Sequence, residues 1–192
     1  MEIYNTKAPV QIYSLYLQCP QDYRDKLVET TYKLKPTVKD DFTFQLVFNE
    51  TKQERVVATG YQAWVDDPIY TDLLTNIVNV VQFEISKDKN HNLELENAWA
   101  GIYKKGQFAH SHHHSPSLWS YCYYMKAEPP YTPMVFDHCG VSIDAITDLL
   151  IVFPSYLYHS VPPVVGSERV FIAGNIKAAY DENKPYNLNN EH

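Results

Sequence analysis

Gly106-Gln-Phe-Ala-His-Ser-His-His-His-Ser-Pro116 places four of the chain's eight histidines within five positions, and Phe153-Pro-Ser-Tyr-Leu-Tyr-His-Ser-Val161 adds His159. Arg169 follows ten residues after His159. In a strand, side chains at i and i+2 point to the same side, so an H-x-H pair aims two imidazoles into one space. His110 with His112 and His112 with His114 both meet that spacing, and His112 belongs to either pair. His159 is the candidate third ligand, because it follows Leu149-Leu-Ile-Val-Phe-Pro154, an apolar run that reads as a buried strand. Two imidazoles, a distant third and an arginine one strand further on suit an open metal site beside an anion socket. The bland alternative is an exposed polar loop whose histidines bind nothing. An expression tag is the wrong reading, since the run is internal.

Arg169 opens an alternating strand. Arg169, Phe171, Ala173 and Asn175 share one face; Val170, Ile172, Gly174 and Ile176 share the other. An arginine beside Phe and Ala on an interior face needs an anion to balance its burial, and a carboxylate cosubstrate would serve.

Composition narrows the function classes. The chain has 192 residues, enough for one domain with a sizeable core, and is 45% hydrophobic. Sixteen tyrosines suit a β-rich protein. A net charge of −7 argues against nucleic acid as a partner, because phosphate binding needs basic clusters. Cys19, Cys122 and Cys139 make no C-x-x-C spacing, which argues against a cysteine zinc site. An odd cysteine count without a signal peptide predicts a reducing, cytoplasmic compartment. No apolar run has the length of a membrane span.

Along the chain, residues 12–17 read as a strand. Pro20 and Asp22 open a helix that Lys33, Lys35 and Pro36 close. Residues 43–48 and 55–60 read as a hairpin. Asp66-Asp67-Pro68 starts a second helix, with Leu74, Ile77, Val78, Val81 and Ile85 at helical spacing. From Leu93 onward the pattern is all β, with strands at 93–103, 118–126, 134–136, 149–153 and 168–176. Helices first and short strands after predict an α+β, mainly β domain whose β part is a sandwich or barrel. With no interdomain linker, residues 1–192 read as a single domain. Residues 1–92 carry the helices and flanking strands, 93–180 the β core with the metal site, and 181–192 a polar tail. The two helices buttress the core or offer a dimer surface.

Three pieces of this sequence resemble the 2-oxoglutarate/Fe(II)-dependent oxygenases, in a branch found in bacteria and phages. Tyr103-Lys-Lys-Gly106 followed by His112-His-His114 is similar to the family's Tyr-x-x-Gly and His-x-Asp. Pro116-Ser-Leu-Trp-Ser120-Tyr-Cys-Tyr-Tyr124 is similar to its His-Pro-x-Ser-x-x-Ser-Gly-x-Tyr-Tyr run. Phe153-Pro-Ser155 with His159-Ser-Val161, then Arg169 and Asn175, is similar to its Phe-Pro-x-x-x-x-His-x-Val segment with a closing Arg and Asn. The match covers the C-terminal half.

The resemblance implies a double-stranded β-helix core, jelly-roll or cupin-like, buttressed by the N-terminal helices. It implies Fe(II) as metal, 2-oxoglutarate as cosubstrate and O2 as oxidant, with hydroxylation as the default outcome in the cytoplasm of a bacterial or phage-infected cell. His112 would be the first ligand, His114 the middle and His159 the last. Arg169 would bind the far carboxylate of 2-oxoglutarate; Tyr103 and Asn175 would contact the same cosubstrate. Tyr123 and Trp119 are the pocket candidates, whereas Trp99 reads as core packing. The sequence departs from the family at three points. His114 stands where the family carries Asp or Glu, Tyr121 where it carries a small residue, and Gly101 where it carries Asn. The rivals are a non-enzymatic jelly-roll module holding Zn(II) or Ni(II), and a three-His cupin-like dioxygenase without 2-oxoglutarate. The substrate stays open among protein side chains, peptides and metabolites.

Overall fold

The structure, a computed structural model, describes residues 1–5, 10–33, 57–58, 67–87 and 92–179. Strands β1 (Glu2–Asn5) and β2 (Gln11–Tyr16) precede helix α1 (Gln21–Lys33). Strand β3 (Val57–Ala58) precedes helix α2 (Ile69–Val80), which continues as a π-helical turn over Val81–Ser86. Then follow β4 (Leu93–Lys104), β5 (Ala109–His112), β6 (Trp119–Ala127), β7 (Pro133–Phe136), β8 (Val141–Asp144), β9 (Leu149–Pro154), β10 (His159–Val161) and β11 (Glu168–Ala178). The strand expected at 43–48 and the tail at 181–192 lie outside the described residues. Strands β1, β5, β8 and β10, of three or four residues each, add to the strands that the sequence pattern predicts.

One sheet has seven strands in the order β1-β2-β9-β6-β11-β4-β3, and the other has four in the order β5-β10-β7-β8. Every pairing is antiparallel. From β4 to β11 the chain crosses repeatedly between the sheets, which is the weave of a jelly roll. Strands β2 and β3 come from the N-terminal part, yet both join the larger sheet beside strands of the C-terminal part.

Alternation of side chains builds two apolar layers from one sheet. On β9, Leu149, Ile151 and Phe153 enter the space between the sheets, while Leu150 and Val152 enter the space beneath the helices. On β11, Phe171 and Ala173 face inward and Val170, Ile172 and Ile176 face the helices, as the sequence alternation predicts. Because both faces of these strands are covered, they read as near-continuous apolar runs.

Each helix covers the larger sheet with one stripe. In α2, Tyr70, Leu73, Leu74 and Ile77 are buried, at helical spacing. The Asp67 carboxylate accepts from the Ile69 backbone N–H at 3.1 Å, satisfying one donor of its first turn. Lys87, in the left-handed region at φ 53°, ends the π-helical turn. Helix α1 buries Leu27 and Thr31, and the Thr31 hydroxyl lies 2.8 Å from the Tyr70 hydroxyl, joining the two helices. Asp148 ties the α1 corner to the sheet. Its carboxylate accepts from the backbone N–H of Gln18 at 2.9 Å and of Cys19 at 3.1 Å, and from the Tyr123 hydroxyl at 2.8 Å.

Leu150 is fully buried on the helix-facing side of a central strand. Leu150→Ala is expected to cost about 3 kcal/mol in urea unfolding of the metal-free protein. Metal affinity should stay unchanged, because the cavity opens on the face turned away from the histidines.

Candidate metal centre and anion socket

His112 and His159 are direct partners across β5 and β10. Both side chains enter the space between the sheets, and their ring centroids lie 4.3 Å apart. His114 lies two residues beyond the end of β5. Its backbone N–H donates to the Ser155 carbonyl at 2.7 Å, which draws the loop against the larger sheet. Its ring reaches 5.1 Å from that of His112 and 4.9 Å from that of His159. One nitrogen from each of the three histidines lies within 4.8 Å of the others.

The open choice between His110 and His114 has a structural answer. The pairing of β5 with β10 is irregular between His159/His112 and Val161/Ala109. Ala109 and His112 both turn inward, and His110 and Ser111 are left outside between them. A bulge of this kind breaks the i, i+2 rule on which the His110–His112 pair rested. The His110 ring instead packs edge-on against Phe108 at 4.9 Å.

The surroundings favour the neutral form of all three imidazoles. His159 is 4% exposed, lies between Phe153 and Phe136, and is held well below its ordinary pKa by burial first and by the other two rings second. Burial and the His112 ring push His114 down to about 3, against which the Asn175 side chain pulls upward. Burial also lowers His112. Neutral imidazoles are the form that binds a metal. The Nδ1 of His112 lies 2.7 Å from the His110 carbonyl, and that of His159 lies 3.1 Å from the Leu157 carbonyl. A carbonyl only accepts, so both rings carry the proton on Nδ1 and present a free Nε2 lone pair.

Arg169 occupies the inner face further along β11. It is 4% exposed and one nitrogen donates to the Thr132 carbonyl at 3.2 Å. Its Nε has no hydrogen-bond partner, and no carboxylate pairs with it among the described residues. Aromatic rings supply the rest of its surroundings: Tyr103 at 4.7 Å and Tyr124 at 5.5 Å. The Tyr124 hydroxyl is likewise buried without an oxygen or nitrogen partner, with the Cys122 thiol near it. A buried guanidinium with an orphaned N–H and an orphaned phenol beside it forms a socket for an anion. Tyr124 was missed in the sequence, where it stood next to Tyr123 with nothing to separate the two but strand parity.

Parity also decides the pocket candidates. Tyr123 lies on the helix-facing side, bound to Asp148, and Trp119 packs on that side against Tyr13 at 6.1 Å. Neither faces the histidines. Trp99, read as core packing, is half-buried on the inner face with its ring edge-on to His114 at 5.4 Å. Asn175, expected at the cosubstrate, stands behind His114: its Oδ1 accepts from the Ser120 hydroxyl at 2.7 Å, and Ser120 lies 3.0 Å from His114 Nδ1. Two departures from the family pattern find their causes. A side chain at Gly101 would put its Cβ 2.6 Å from the Phe171 ring, and Tyr121 faces the helices over Gly174, remote from the inner face.

Three converging imidazoles, one ring nitrogen of each within 4.8 Å of the others, suit a first-row divalent ion such as iron, nickel or zinc. Neither a protein-family model nor a curated protein matches the sequence. Solved structures do match. The viral collagen prolyl hydroxylase of Paramecium Bursaria Chlorella virus-1, in complex with 2-oxoglutarate, aligns with 88% of this chain and 96% of its own, at 15% identity and a TM-score of 0.62. A Pseudomonas putida prolyl-4-hydroxylase aligns with 88% and 93%, at 17% identity and a TM-score of 0.62. HygX from Streptomyces hygroscopicus, with nickel and 2-oxoglutarate bound, aligns with 88% and 83%, at 8% identity and a TM-score of 0.66. At such identities the likeness establishes the fold, a mainly β jelly roll with helices against its larger sheet.

The lowered histidine pKa values have a consequence for stability. Below the ordinary 6.5 the unfolded chain takes up protons on these histidines more readily than the folded chain does. Stability of the metal-free protein therefore rises with pH through this range and falls on acidification. Urea midpoints at about pH 7.5 and about pH 5.5 should show this drop, and His159→Phe, which sits among phenylalanines, should reduce it. An equal drop in both proteins would mean that His159 is already charged in the fold.

Proposed function

We propose that the protein is an Fe(II)- and 2-oxoglutarate-dependent oxygenase, with hydroxylation of a substrate as its outcome. The observation that carries this reading is Arg169, buried between the sheets with an orphaned Nε and no carboxylate partner among the described residues. A three-His dioxygenase without 2-oxoglutarate has no use for such a residue, and neither does a structural metal module. The 2-oxoglutarate and nickel bound in structures of the same fold support the reading.

In this reading His112, His114 and His159 hold the iron through Nε2. When bound, the iron supplies the activation of O2, in which 2-oxoglutarate is decarboxylated to succinate and CO2 and the second oxygen atom goes to the substrate. The protein's own groups bind and orient. Arg169 takes the far carboxylate of 2-oxoglutarate through its free Nε, and the Tyr124 hydroxyl donates to the same group. The Tyr103 ring, stacked on Phe171 at 5.3 Å, holds the guanidinium in place from one face. Trp99 touches His114 and lies opposite Ala173, four residues from Arg169 on β11, about 13 Å at the usual rise per residue. The inward positions between them are Phe171 and Ala173, with Gly101 across from Phe171. The long arginine side chain closes part of that distance. Phe136, Phe153, Leu157 and Val161 keep water from the far side of the histidines. The three cysteines are free thiols, which suits a reducing cytoplasm.

Wild-type protein with Fe(II), 2-oxoglutarate and O2 should form succinate even without its substrate. Arg169→Ala should raise the 2-oxoglutarate concentration required by about 100-fold, the cost of removing one partner of a buried charge pair, with the Fe(II) dissociation constant unchanged. Absence of succinate from the wild type, together with tight Zn(II) binding, would leave the metal module instead.

A further inference from the structure

The histidines solve their orientation in two different ways. His112 and His159 each give the Nδ1 proton to a backbone carbonyl two residues earlier, a partner that cannot reverse the bond. His114 Nδ1 faces the Ser120 hydroxyl, which can either donate or accept, with the Asn175 side chain also acting on the ring. Its tautomer therefore depends on what the hydroxyl does with its single proton.

Ser120 is fully buried and has three polar neighbours: His114 Nδ1 at 3.0 Å, Ser155 Oγ at 2.8 Å and Asn175 Oδ1 at 2.7 Å. Asn175 Oδ1 only accepts, so it receives the Ser120 proton. Asn175 is held in that orientation by its amide, which donates to Asn97 Oδ1 at 2.9 Å. The two lone pairs of Ser120 are then left to accept, one from the Ser155 hydroxyl and one from His114 Nδ1–H. The chain of donors runs in a single direction and ends with Nε2 of His114 unprotonated and turned toward His112 and His159.

We infer that Ser120, polarised by Asn175 and Asn97, is the positioning residue that fixes His114 as its Nδ1–H tautomer and so makes it a ligand. The inference rests on the reading of the three histidines as a metal centre. It also accounts for the imidazole at a position where the resembling family carries a carboxylate. A carboxylate offers a lone pair whichever way it turns, but an imidazole offers one only if its proton is held on the other nitrogen. The donor chain supplies that hold, and the Ser155 carbonyl fixes the backbone of the same residue.

Histidine-selective 15N labelling reads the tautomers directly in metal-free protein by NMR, and a Co(II) titration followed by its visible absorption reads affinity and geometry. The wild type should show His114 protonated on Nδ1, like His112 and His159. Ser120→Ala should mix the His114 tautomers and weaken Co(II) binding by roughly 10- to 100-fold, the usual effect of losing such an outer partner. Asn175→Ala should act in the same direction without deleting the hydroxyl, because it frees the Ser120 proton to turn toward His114. Ser120→Thr, which keeps the hydroxyl, should restore the wild-type tautomer. A wild-type His114 protonated on Nε2, the state produced by turning both amides over, would overturn the inference. So would variants that keep both tautomer and affinity. If the wild type shows the expected tautomer but binds no divalent ion, the metal reading fails while the donor chain stands.

Discussion

The alignment of His112 with His159 across two short strands is the constraint on which the site depends. The pair sits inside a jelly roll, where burial disfavours a second proton on an imidazole and where Phe136 and Phe153 pack against His159. A bulge sets the alignment, turning His110 out and His112 in, and it leaves the chain directed so that His114 can reach the larger sheet. Three neutral rings with their lone pairs converging are costly to assemble unless something positive fills the space between them. The three histidines therefore could hold a cation at one place.

The same interior could hold an anion at another. Arg169 brings a permanent positive charge between the sheets and finds one carbonyl and two aromatic rings there. The two places lie on one face of β11 and its neighbours, separated by a few small or flat side chains. A ligand that joins a metal-binding end to a distant carboxylate satisfies both at once. This complementarity, more than the likeness of the fold, is what supports the proposal of a keto diacid.

Much of this was legible in the sequence because it rests on long periodic segments. The face shared by Arg169, Phe171, Ala173 and Asn175 follows from alternation along eleven residues of β11. The stripe of Leu74, Ile77, Val81 and Ile85 likewise predicts the second helix. What the sequence hid depends on parity within short elements. Strands of three or four residues, such as β5, β8 and β10, show no period to detect. A single bulge decided between His110 and His114. One step along β6 decided between Tyr123 and Tyr124, and the choice between Trp119 and Trp99 turned on the same question of which side each strand shows. Ser120 and Ser155 lay inside quoted motifs, but serines are too common for a positioning role to stand out before their neighbours are known.

The central claim is that one metal and one dicarboxylate occupy the two ends of this interior together. An anaerobic absorption titration tests it most directly: metal-free protein receives Fe(II), then 2-oxoglutarate. The account predicts a weak visible charge-transfer band that appears only when both are present and is lost in Arg169→Ala at the same cosubstrate concentration. Fe(II) binding with no band at any 2-oxoglutarate concentration would contradict it and leave Arg169 without the partner proposed for it.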